Sequence, residues 1–231
     1  MKKKMEILMA AVLLLAACLF AKEGAVLVDS LKADMKKGKT CIVIDAGHGG
    51  ADPGKVGING AEEKDLNLQI AMRLKMLLEA EGIEVVLTRT DDKGLYRESS
   101  SNKKVEDMRK RCEIIRSAMP VFTVSIHQNS YPEEYVKGAQ VFYYGKSPEG
   151  KVLAEYIQAS MIERLDQENH RTAKANESYY LLKRTPTPTV IVECGFLSNS
   201  KEAELLTTEE YQEKAAWAIH MGILQYLNAE K

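Results

Sequence analysis

The sequence predicts an α/β layer fold: a single domain built on a twisted, mostly parallel mixed sheet with helices on both faces. Three observations lead there. Short β-branched runs alternate with amphipathic helical stretches from Thr40 onward. The runs are apolar almost without interruption, as strands covered on both faces are. Several of them end at residues with metal-binding or acid–base side chains, where ligands collect in such sheets.

Cys41–Ala46 is β-branched and stops at Gly47, which makes it a buried strand. Gly49, Gly50, Gly54, Gly57 and Gly60 turn the next segment into a loop. Leu66, Ile70, Leu74, Leu77 and Leu78 recur at helical spacing, and Gly82 is placed to close that helix. Residues 83–87 read as the second strand and 88–104 as a loop. Val105 to Ala118 reads as a helix with Met108, Cys112 and Ile115 on one face. Residues 121–126 form the third strand, and 139–144 form another, opened by Gly138. Pro148 marks a helix start, with Val152, Ile157, Met161 and Leu165 on the buried side. Residues 189–194 are a further strand. Glu209 to Leu227 closes the chain as an amphipathic helix with Ala215, Ile219 and Leu227 inward.

Residues 1–21 have the grammar of a signal peptide or N-terminal membrane anchor. Lys2, Lys3 and Lys4 precede a charge-free stretch from Ile7 to Ala21, shorter than the roughly 20 residues that span a bilayer. Leu15-Ala16-Ala17-Cys18 resembles a lipidation site, although Leu19 and Phe20 stay apolar where acylated chains turn polar. Residues 22–39 read as a linker with one short strand at Ala25–Val28, leaving 40–231 as the folded domain. An apolar content of 45% supports a sizeable core there, and a net charge of -1 gives no general case for nucleic acid. Cys41, Cys112 and Cys194 fit no zinc-finger or CxxC spacing, so buried free thiols are expected at Cys41 and Cys194.

Four stretches carry the chemistry: Val43-Ile44-Asp45-Ala46-Gly47-His48-Gly49-Gly50, Glu62-Glu63-Lys64-Asp65, Val124-Ser125-Ile126-His127-Gln128-Asn129 and Val190-Ile191-Val192-Glu193-Cys194-Gly195. Catalytic zinc takes three protein ligands and keeps a position open, and two imidazoles with one carboxylate are a common set. A further carboxylate beside the ion serves as general acid and base. His48, Glu63 and His127 are therefore the expected zinc ligands and Glu193 the acid–base residue. A charge within the apolar run around Glu193 needs a nearby cation, which the metal supplies. Glu62 competes with Glu63 for the ligand role. Asp45 is either a partner that fixes the His48 imidazole or a loop cap. Ser125 and Asn129 flank His127 and either orient it or meet substrate. His170 and His220 lack such a setting and read as exposed or structural.

With Glu63-Lys64-Asp65-Leu66-Asn67-Leu68 and Val192-Glu193-Cys194-Gly195-Phe196-Leu197-Ser198-Asn199 added, these motifs resemble the zinc-dependent N-acetylmuramoyl-L-alanine amidases of the Amidase_3 family, over about residues 41–227. The resemblance implies the same zinc ligands and the same catalytic glutamate. Arg109-Lys110-Arg111-Cys112-Glu113-Ile114-Ile115, the stretch from Gly138 to Lys146 and the closing Glu202 to Leu227 further resemble the germination-specific members found in spore-forming bacteria. That implies removal of stem peptides from cortex peptidoglycan before muramic-δ-lactam formation. It also implies an exported, membrane-associated enzyme on the outer face or in the intermembrane space of the developing spore. Arg111 matches a family arginine that binds a carboxylate, supports the site or lies at the surface. Gln140 is expected to face the glycan. Cys194 stands where small or apolar residues are usual, with no loss of activity expected. An accessory protein stays open, as do two other functions: a catalytically silent wall-binding module and a zinc peptidase cutting within the stem peptide.

Overall fold

A computed structural model describes residues 40–229; the expected leader, linker, Ala25–Val28 strand and Cys18 lie outside them. In chain order the elements are β1 (Cys41–Ala46), α1 (Glu63–Ala80), β2 (Glu84–Leu87), α2 (Lys103–Ala118), β3 (Phe122–Asn129) and β4 (Gln140–Tyr143). There follow α3 (Pro148–Leu165), β5 (Lys174–Ala175), α4 (Tyr180–Arg184), β6 (Thr189–Phe196), α5 (Ser200–Leu206) and α6 (Glu209–Ala229). The strands make one sheet in the order β2-β1-β3-β6-β4-β5. All pairings are parallel except β4 with β6, so the sheet is the mixed, mostly parallel one expected.

Alternation along the central strands divides the molecule. Even-numbered residues of β1, β3 and β6, such as Ile44, Ile126 and Val192, enter the main core with α1, α3 and α6. Odd-numbered residues face α2 and α4, where Val43, Cys112, Ile115 and Leu181 form a smaller cluster. Asp45, Ser125, His127 and Glu193 share this second face.

The helix ends follow local chemistry. Gly82 has φ 77°, and its N–H and that of Ile83 donate to the carbonyls of Glu79 and Leu78, at 3.0 and 3.2 Å. Those bonds satisfy the last turn of α1 through a left-handed residue that a Cβ would strain. Asn102, Ser147 and Asn199 cap α2, α3 and α5 by accepting from Val105, Gly150 and Glu202.

The structure departs from the sequence reading in particulars. β3 and β6 run on to Asn129 and Phe196, so His127 lies inside its strand rather than beyond its end, and Glu193 lies deeper in its own than the expected 189–194 places it. Val152 is exposed, while Leu153, Ala154, Ile157 and Met161 line the buried side of α3, because one residue's step turns a helical side chain by about 100°. Cys112 and Cys194 are buried free thiols, but Cys41, at the first position of β1, is only half-buried. No helix among the described residues is long and apolar enough to cross a membrane.

Candidate active site

β1 delivers the first motif. Past Ala46 the chain stays beside β3, with the Gly47 N–H donating to the Ile126 carbonyl at 3.1 Å. A Cβ on Gly47 would lie 2.2 Å from Cε1 and 2.3 Å from Nε2 of His127, so glycine is what lets that imidazole in. His48 then takes φ 62°, uncommon for a residue with a side chain. Two buried arginines hold this turn. Arg89 donates to the carbonyls of Ala46, Gly47 and Lys64, and Arg111 donates to those of Ala46 and His48.

Glu63 opens α1 and joins the two histidines. Its Oε1 lies 2.9 Å from His127 Nδ1 and its Oε2 lies 3.3 Å from His48 Nε2. The backbone N–H groups of Lys55 and Gln128 also donate to it. Burial alone would raise this carboxyl, but the two histidines outweigh burial and hold it well below the usual carboxylate range. Glu62 instead stands half-exposed at the N-cap position of α1, makes no side-chain cap and pairs with Lys64 at 3.3 Å, so Glu63 takes the inward place. One donor atom from each of His48, Glu63 and His127 lies within 4.8 Å of the others.

Glu193 faces His127 across the β3–β6 register. It is buried, and its Oε2 has no hydrogen-bond partner among the described residues. Burial pushes the carboxyl up to about 7, with the Glu63 charge adding to the rise and the two histidines opposing it. A cleft of about 390 Å³ opens onto Glu63, His127 and Glu193, between the α2 side (Lys104, Asp107, Met108) and the α4 side (Tyr179, Tyr180, Leu181). A larger hollow of about 910 Å³ beside α5 holds no such cluster among the described residues.

Two sequence expectations change here. Asp45 does not reach His48: it accepts from Ser125 at 2.6 Å, Thr88 at 2.7 Å and Arg111 at 2.7 Å. Burial opposes its ionisation, but the Arg111 charge and these hydrogen bonds bring it down to about 2. Gln140 is paired in register with Glu193, yet its side chain is spent on the Thr172 carbonyl and Arg171, at 3.0 and 3.1 Å, and does not line the cleft. Of the three readings of Arg111, the geometry favours support of the site: the side chain is 1% exposed and engaged by Asp45, Asp107 and two carbonyls. Asn129 does line the cleft. His170 is exposed, and His220 is buried against Trp217, away from the cluster.

The residue the sequence reading missed is Asp52. Its Oδ2 lies 3.0 Å from His48 Nδ1, and its Oδ1 accepts from the Gly54 N–H at 3.1 Å. It fixes the imidazole so that Nε2 faces Glu63, which was one of the two readings open for Asp45. Its only signal was an acidic residue four positions after His48 in a glycine-rich loop.

The profile of the N-acetylmuramoyl-L-alanine amidase family, Amidase_3, matches residues 42–225. The chain belongs to that family. The germination-specific N-acetylmuramoyl-L-alanine amidase of Bacillus subtilis (strain 168) is 40% identical over 188 residues, covering 80% of this chain and 78% of the relative. Among solved structures, the CwlD amidase from Clostridioides difficile, in complex with the GerS lipoprotein, superposes with TM-score 0.81 at 43% identity. That match covers 83% of this chain and 100% of the other. The amidase AmiC2 of Nostoc punctiforme gives TM-score 0.72 at 35% identity over 83% of this chain and 98% of its own. The amidase fold and its hydrolytic class are thus those of this chain.

Proposed function

We propose that this amidase is a zinc enzyme of the spore cortex. It cleaves the amide between the lactyl group of N-acetylmuramic acid and L-alanine, a step towards muramic-δ-lactam formation and germination. The observation that carries this reading is the meeting of His48, Glu63 and His127 within 4.8 Å, beside a buried carboxyl whose Oε2 has no partner. Two imidazoles and a carboxylate suit zinc better than the all-oxygen sets that calcium and magnesium prefer. A cation at this cluster also compensates the Glu193 carboxylate, which is otherwise costly to bury. His48, Glu63 and His127 would hold the ion, with Asp52 keeping His48 in the required tautomer. When bound, zinc supplies a Lewis acid that polarises the lactyl carbonyl and acidifies water.

The chain's own groups do the rest. Glu193 takes a proton from the attacking water and hands it to the alanine nitrogen as the C–N bond breaks. Burial raises this carboxyl and a bound cation would lower it again, which leaves it able to take up and release a proton near neutral pH. The products are a free lactyl carboxylate and an intact peptide with an amino-terminal alanine. Asn129 lines the cleft and is proposed to contact the substrate. The N-terminal segment is proposed to export the enzyme and tether it on the outer face or in the intermembrane space of the developing spore. The germination-specific name of the Bacillus relative supports the cortex assignment. The lipoprotein in the Clostridioides complex supports an accessory partner.

A digest of purified cortex peptidoglycan tests the reading. The metal-loaded enzyme should release whole stem peptides, a chelator should stop the release, and added zinc should restore it. Peptides cut internally would mean a zinc peptidase. Retained wall binding without any release would mean a silent binding module.

A further inference from the structure

We infer that the α2 side of the cleft is a carboxylate subsite, with Lys104 as the residue that selects acidic stem peptides. The inference rests on the amidase reading above and adds to it the class of peptide preferred. Two arginine or lysine side chains line the cleft, Lys104 and Arg111. Arg111 is buried and committed to Asp45, Asp107 and the backbone of the first motif. Lys104 is exposed and makes no ion pair among the described residues. Its neighbours on the same helix do: Lys103 binds Glu98 at 2.6 Å and Lys110 binds Glu113 at 2.7 Å. Lys104 lines the same cleft as His48 and its partner Asp52.

The surroundings give this free cation a task. Asp45, Asp52, Glu63, Asp107 and Glu193 all line the same cleft. Arg111 is spent on Asp45 and Asp107, so among the described residues Lys104 is the lysine or arginine of the cleft left to receive a ligand's carboxylate. Lysine does this as a mobile point charge, suited to a peptide arriving from solvent. Stem peptides carry free carboxylates beyond the alanine whose amide is cut. Lys104 at the rim therefore draws the peptide limb of the substrate along α2.

The test uses the full-length, zinc-loaded enzyme with two matched muramoyl peptides. In one the second residue carries a free α-carboxylate; in the other it carries the carboxamide. The wild type should favour the acid. Lys104→Met should raise KM for the acid by about threefold, leave KM for the amide unchanged and leave kcat unchanged on both. Lys104→Glu should reverse the preference, and added salt should erode it in the wild type. Equal changes on both substrates, or none, would overturn the subsite. So would a fall in zinc affinity in Lys104→Met, since the lysine would then be acting through Asp52. Wild-type cleavage with no acid preference sinks the subsite alone. Failure to cleave either peptide sinks the amidase reading and the subsite with it.

Discussion

The two faces of the central strands do different work with the same backbone. Even-numbered positions of β1, β3 and β6 fill a dry core against three long helices. Odd-numbered positions carry Asp45, Ser125, His127 and Glu193 under the thinner cover of α2 and α4. One face is held by area, each fully buried large aliphatic residue contributing about 1.5–3 kcal/mol. The other is held by direction: charge-assisted hydrogen bonds link residues distant in the chain, such as Arg111 and Asp45. The contrast teaches that neighbouring residues of one strand can fail in unrelated ways. A change on the core face removes stability, and a change at His127 or Glu193 on the polar face removes chemistry.

Substitutions one register step apart should separate the two. The largest effect belongs to the polar face. Glu193→Gln should lower kcat by about 10²–10⁴-fold, with zinc content and melting temperature kept. Stem-peptide release near the wild-type rate would end the acid–base assignment. Ile126→Ala, next to His127 but on the core side, should cost about 2–5 kcal/mol of stability in denaturant unfolding. Its kcat per folded molecule should stay close to wild type, and a collapse of kcat without loss of stability would erase the distinction between the faces.

Asp45→Asn gives a smaller effect with a pH signature. The Asp45 carboxyl is lowered from 3.8 to about 2 in the fold. A depressed acid stabilises the fold above its unfolded value, and that contribution is lost as pH falls through the folded one. The variant should therefore be less stable by about 2 kcal/mol above pH 4, with the gap closing towards pH 2. A gap constant across that range would mean that Asp45 does not stabilise the fold through its charge.

These contrasts also explain what could be read in the sequence. The central strands were legible because burial on both faces makes them continuous apolar runs, and the long helices because their apolar residues recur at helical spacing. β5, α4 and α5, of 2, 5 and 7 residues, are too short to show any period. The four chemical residues of the site stood out as polar breaks within or beside strong patterns. Their supports did not. Arg111 meets Asp45 across 66 residues, and nothing in the chain order announces that pairing. Asp52 was hidden in a loop where an aspartate normally signals a turn. Gln140 looked outward by position, but the long connection after α3 brings Arg171 back over it.

The vacancy at Gly47 has a wider consequence. The space occupied by the His127 ring is space that every other amino acid would claim for its own first carbon. A homologue could keep both histidines and both glutamates, pass any check that compares only those letters, and still be inert because alanine stands at that one position. Competence in this lineage should be judged by the smallest residue of the motif as well as by the reactive ones.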